Sequence, residues 1–125
     1  MKLDHYIYIA MCEALKSNMF HQHGAIIIHR NKIIGRGHNY SFGKNKCRGN
    51  HWSDHAEYNA IKNCNCQHLL NESILIVVRI TPFFVDMKNN NKPIDNLKTF
   101  LKDSIPCTNC QKTINKYKIK KIIYS

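Results

Sequence analysis

Apolar and polar positions divide this chain into alternating helical and extended segments. From Asp4 to about Met19, the residues Tyr6, Ile9, Ala10, Leu15 and Met19 form a helical stripe, with Asp4 placed to cap it. His23 to Ile28 is a short β-branched run. Arg30-Asn31-Lys32 is a turn signal, and Ile33-Ile34-Gly35 begins a returning strand, so the pattern predicts a hairpin. Residues 40–54 read as a polar, glycine-containing loop. A helix is predicted from near His55, with Ser53 or Asp54 as its cap and Tyr58, Ala60 and Ile61 as its apolar face. Ser73 to Ile80 is a continuous apolar run of strand length, as expected for a strand covered on both faces. Residues 107–116 read as a short helix entered from Pro106, and Ile119 to Tyr124 as a last strand.

This order predicts a three-layer α-β-α sandwich with a mixed central sheet. At 125 residues the chain is read as a single domain, 1–125, without internal repeat or linker. Residues 81–105 separate the third predicted strand from the helix after it. A structureless stretch of that length is unusual. A short helix is predicted within it, with Asp95 as cap and Leu97, Phe100 and Leu101 at helical spacing.

Composition narrows the setting. The first ten residues carry Lys2, Asp4 and His5 with no long apolar run, so no signal peptide is expected. The longest apolar stretch, Ile74 to Val78, is far too short to span a membrane. A reducing, cytoplasmic setting is expected, in which the six cysteines serve metal binding or packing. The net charge is +11. Two readings of it stand. One is affinity for phosphates of nucleotides or nucleic acid. The other is coding bias with solubility, since Asn and Ile are also abundant and Arg, the better bidentate phosphate ligand, is scarce.

Two motifs carry the chemistry: His55-Ala56-Glu57, which is H-x-E, and Pro106-Cys107-Thr108-Asn109-Cys110, which is P-C-x-x-C. One imidazole and two thiolates make a three-ligand zinc site with a fourth position open, the arrangement of a catalytic rather than a structural site. Glu57 is not needed as a ligand and is placed to carry a proton. Both motifs fall at predicted helix starts, where unpaired N–H groups and the helix dipole favour thiolate over thiol. Two helices side by side with level amino termini would unite them.

With these motifs the chain resembles the cytidine and deoxycytidylate deaminase superfamily, whose signature is H-x-E with P-C-x-x-C. It is most similar to the deoxycytidylate branch. The resemblance runs through Gly24-Ala25-Ile26-Ile27-Ile28, Ile33 to Asn39, His55-Ala56-Glu57-Tyr58-Asn59-Ala60-Ile61, Pro106 to Cys110 and Ile119 to Tyr124. It implies that His55, Cys107 and Cys110 bind zinc and that Glu57 shuttles protons. It further implies that Asn39 contacts the substrate sugar or base and that the backbone of Ala56 helps hold the pyrimidine ring. The implied reaction is hydrolytic: water replaces the exocyclic amine of a cytosine nucleotide, dCMP or CMP, and ammonia leaves. A homo-oligomer is implied by the same resemblance.

The chain departs from the family pattern in three respects. Residues 81–105 intervene before the second motif and are placed to form a lid or alter substrate choice. The chain ends at Ser125, where relatives usually continue into another helix and often a fifth strand. The phosphate-gripping motifs of the deoxycytidylate branch are not recognisable, and Lys44, Lys46 and Arg48 are the candidates to replace them.

Two alternatives remain at this level. One is a nucleic-acid deaminase, acting on tRNA adenosine or single-strand cytosine. The high charge favours it, while Asn59 and the lack of T-x-E before Pro106 count against it. The other is a zinc-stabilised binding module without catalysis, against which the retention of Glu57 argues. Cys64 and Cys66 are read as packing or incidental thiols. His5, His21, His23, His29, His38 and His68 are read mostly as surface or strand-end residues, and His51 as close enough to line the pocket.

Overall fold

The computed structural model describes residues 3–19, 21–44, 51–81, 101–102 and 108–124; for 41–44, 51–54, 102 and 108–110 the description is of the backbone. The element order is α1 (Leu3–Ala14), β1 (His23–His29), β2 (Lys32–His38), β3 (Tyr40–Lys44), β4 (His51–Asp54), α2 (Ala56–Lys62), a 3₁₀ turn (Gln67–Glu72), β5 (Ile74–Ile80), β6 (Leu101–Lys102), α3 (Thr108–Tyr117) and β7 (Lys121–Tyr124).

β1 and β5 are the inner strands of the main sheet, and β1 joins β2 to β5. β1 pairs antiparallel with β2 on one side and with β5 on the other. β7 lies parallel to the first half of β5, from Ile74↔Lys121 to Val77↔Tyr124. The sheet is therefore mixed, as expected. The β1–β2 turn places Arg30 and Asn31 at φ 49° and 64°. Two consecutive left-handed residues make a type I′ turn, whose twist matches that of the flanking strands.

The strands bury both faces, which explains their continuous apolar runs. Ile26, Ile28, Ile76, Val78 and Ile80 pack with Ala10, Met11 and Ala14 of α1. Ala25, Ile27, Leu75 and Val77 pack on the other side with Ala56, Ala60 and Ile61 of α2 and Ile114 of α3. The three layers are α1, the sheet, and α2 with α3. A register shift between Ile27 and Ile28 in the β1–β2 pairing turns both Ile34 and Gly35 towards α2.

Four expectations are corrected. α1 ends at Ala14 rather than Met19. Beyond it the Ser17 hydroxyl accepts the Met19 N–H at 3.1 Å, a local turn that competes with helix. Residues 40–54 are not simply loop: β3 and β4 pair antiparallel, with Tyr40↔Asp54 and Ser41↔Ser53 in register. The cap of α2 is His55, not Ser53 or Asp54, because Asp54 still belongs to β4. Finally, Leu101 is in a strand, not a helix. Leu101 and Lys102 pair with Ile80 and Arg79, on the stretch of the β5 edge that β7 leaves open. The rest of the helix expected after Asp95 lies outside the described residues.

No helix among the described residues is long and apolar enough to cross a membrane.

Candidate active site

Two glycines set the position of α2. A Cβ at Gly37 would overlap the backbone nitrogen of Ala60 and stand 2.7 Å from the Ala56 carbonyl oxygen. A Cβ at Gly35 would stand 2.6 Å from the Ala60 carbonyl oxygen. The helix therefore lies directly on the β2 backbone, with Ala56 level with Gly37 and its carboxyl end near Gly35. Asn59, buried, adds a side-chain tie: its Nδ2 donates to the His38 carbonyl at 2.8 Å. The Asn63 side chain donates to the Arg36 carbonyl at 3.0 Å further along.

This seating brings the first motif to one end of the sheet, where β1 begins and where β2 and β5 finish. His55 caps α2 with extended backbone (φ −82°, ψ 153°), makes no side-chain capping hydrogen bond and is exposed. Ala56 is buried, and Glu57, although a carboxylate, is only 5% exposed.

α3 packs on the same face of the sheet as α2. Its carboxyl end turns into β7, held by hydrogen bonds from Ile119 N–H to the Ile114 carbonyl and from Lys120 N–H to the Ser73 carbonyl. Ile114 and Tyr117 share a cluster with Ile61 and Cys64 from the carboxyl end of α2. α2 and α3 therefore share the layer on that face of the sheet, with residues from their carboxyl ends in one cluster. Cys110 lies in the first turn of α3. Cys107 lies outside the described residues, as does the side chain of Cys110. Among the described residues, no three His, Cys, Asp or Glu groups converge as a metal site. The donor chemistry nonetheless fits zinc: an exposed imidazole at the start of α2 and a cysteine in the first turn of α3 are ligand types that zinc takes.

Residues 2–125 match the family model described as the cytidine and deoxycytidylate deaminase zinc-binding region. The chain belongs to this deaminase family. No curated protein sequence matches it. Among solved structures it is similar to the dCMP deaminase of cyanophage S-TIM5. In the complex with dCMP and dUMP the TM-score is 0.60 at 20% identity, covering 98% of this chain and 79% of that one. In the apo form the score is 0.59 at 20% identity, covering 97% and 79%. It is also similar to Acinetobacter baumannii RibD, form 2, with a TM-score of 0.54 at 14% identity, covering 97% of this chain and 27% of that one. At these identities the likeness is one of fold.

The remaining residues expected at the deaminase site divide. Asn39 is buried at the end of β2, and its carboxamide binds the entry to β1. Oδ1 accepts the His23 N–H at 2.8 Å, and Nδ2 donates to the His21 carbonyl at 2.7 Å. Lys44 is the last residue of β3, described by its backbone alone, and Lys46 and Arg48 lie outside the described residues.

Cys64 packs in the α2 cluster, and burial pushes its thiol pKa up, as for an inert core thiol. Among the described residues, Cys12, Cys64 and Cys66 form no disulfide. Sequence reasoning did not single out His23. It opens β1 on the α2 face, and the signal was its parity with Ala25 and Ile27.

Proposed function

We propose that this deaminase-family chain is a zinc-dependent hydrolytic deaminase of a cytosine mononucleotide, dCMP or CMP. The observation that carries the reading is the buried carboxylate of Glu57, two residues from His55, the cap of α2. A structural zinc site has no use for a buried, proton-carrying side chain beside it. The similarity of His55 to Ile61 to the deoxycytidylate branch supports a mononucleotide.

In this reading His55, Cys107 and Cys110 hold the zinc, and the metal supplies Lewis-acid activation of water. Glu57 takes the proton released by that water and returns it to the ring nitrogen and the departing amine. Burial of Glu57 keeps bulk water from competing for that proton. The Ala56 backbone and Asn39 border the substrate, and Lys44, Lys46 and Arg48 supply charge for its phosphate.

The test is ammonia release from a panel of dCMP, CMP, cytidine and short RNAs at several salt concentrations. Turnover of dCMP or CMP is expected, with cytidine clearly weaker. Each phosphate contact contributes about 0.7 to the slope of log affinity against log salt on a single strand, so the dependence for a mononucleotide should be shallow. Turnover of RNA alone, with a steep slope, would replace this reading by a nucleic-acid deaminase, which the high net charge also favours.

A further inference from the structure

β2 is an outer strand of the main sheet: among the described residues it pairs only with β1. Just past its end, the Asn39 N–H donates inward to the His23 carbonyl at 3.2 Å. In an antiparallel pair the backbone polar groups of successive residues alternate sides, so those of His38, Arg36 and Ile34 turn away from β1. An outer strand with open carbonyls is a template on which another strand can pair.

These three carbonyls are already engaged. The Asn59 side chain donates to that of His38 at 2.8 Å, and the Asn63 side chain to that of Arg36 at 3.0 Å. Beyond the end of α2, the Asn65 N–H donates to that of Ile34 at 3.3 Å. The spacing is matched. Four residues of helix rise about 6 Å, and two residues of strand about 6.8 Å. Successive amides on α2 therefore meet successive outward carbonyls on β2, with the helix running against the strand. Gly35 and Gly37 let α2 lie on the strand backbone, which brings short side chains within reach of its outer side. Asparagine suits the place because its amide donates to a carbonyl, which an aspartate could not. Asn63 and Asn65 are exposed, so their bonds lie where an added strand would arrive.

We propose that Asn59, Asn63 and the Asn65 N–H form a latch that closes the β2 edge to strand addition, so that copies of this chain do not associate by pairing β2 with β2. An incoming strand needs the same carbonyls as acceptors and must break each of these bonds first. The stretch beneath the latch includes Ile33-Ile34, β-branched and apolar, a composition that pairs readily. Self-association, where it occurs, then uses another surface.

The test compares the parent protein with Asn63→Ala and with Asn59→Ala/Asn63→Ala. Sedimentation velocity over a range of concentrations reads mass. Intermolecular NOEs between labelled and unlabelled copies read whether β2 meets β2. No such contact is expected in the parent. The double variant should gain a concentration-dependent larger species with β2–β2 contacts, each lost donor tightening the pairing about fivefold. Asn63→Ala, at an exposed position, should show a smaller share of it and decides alone where the double variant does not fold. Glu13→Gln is the control for lost stability: it weakens the fold from the α1 side and should leave association unchanged. Contacts between β2 strands in the parent overturn the inference. So does a folded variant that associates no more than the parent, or a gain in mass that Glu13→Gln reproduces.

Discussion

Gly37 of β2 and Ala60 of α2 are in direct backbone contact, with no room between them for a single methyl group. Gly37→Ala is expected to cost about 3 kcal/mol or more, because backbone on both sides must move to admit the Cβ. Urea unfolding should show a lower midpoint at an unchanged slope. Deamination should fall further than stability does, since the same shift displaces His55 and Glu57.

Asn59→Ala tests the second tie of α2 to the sheet. It removes the donor to the part-buried His38 carbonyl, at an expected cost of about 1–3 kcal/mol. Hydrogen exchange should quicken first at the amides of α2 and at the end of β2. A uniform change across the chain would show that the tie is not local.

Glu57→Gln separates the proton carrier from the metal site. Freshly prepared protein should hold about one zinc per chain by elemental analysis. Glu57→Gln should keep it while losing roughly 10²–10⁴ or more of the rate. His55→Ala should lose the metal itself. Full activity in Glu57→Gln would contradict the chemistry assigned to this carboxylate.

Glu13 gives a pH-dependent prediction. Burial disfavours its ionised form. Hydrogen bonds from Lys16 and His38 outweigh that and hold its pKa below the ordinary value. The distances are 3.0 Å to Lys16 Nζ and 3.1 Å to His38 Nδ1. A carboxylate with a depressed folded pKa contributes stability above its unfolded pKa, about 4.3, and loses it as pH falls through the folded value. Glu13→Gln should therefore cost about 1–2 kcal/mol at pH 7, and less as the pH drops below 4. A gap of constant size between parent and variant at pH 7 and pH 3 would rule this out.

Much of the fold is legible in the residues alone. The β-branched runs at His23–Ile28 and Ile74–Ile80 and the turn at Arg30-Asn31 signal strands and a hairpin because they act through local conformation and simple burial. The spacing of His55, Glu57, Cys107 and Cys110 identifies the family because it reflects ligand chemistry that few other patterns satisfy.

Other features depend on partners distant in sequence. β3 and β4 are polar, and their pairing rests on cross-strand hydrogen bonds that no apolar period announces. Leu101 sits at helical spacing from Leu97, yet it is a strand residue because the β5 edge beside Ile80 is open to it. His55 rather than Asp54 caps α2, since β4 claims Asp54 for its register with Tyr40. The His23 N–H finds its acceptor in Asn39, 16 residues away, which the end of β2 brings beside it. Local propensity and ligand spacing are properties of the chain itself, whereas a free strand edge, a close helix approach and a buried side-chain hydrogen bond exist only after distant segments have packed.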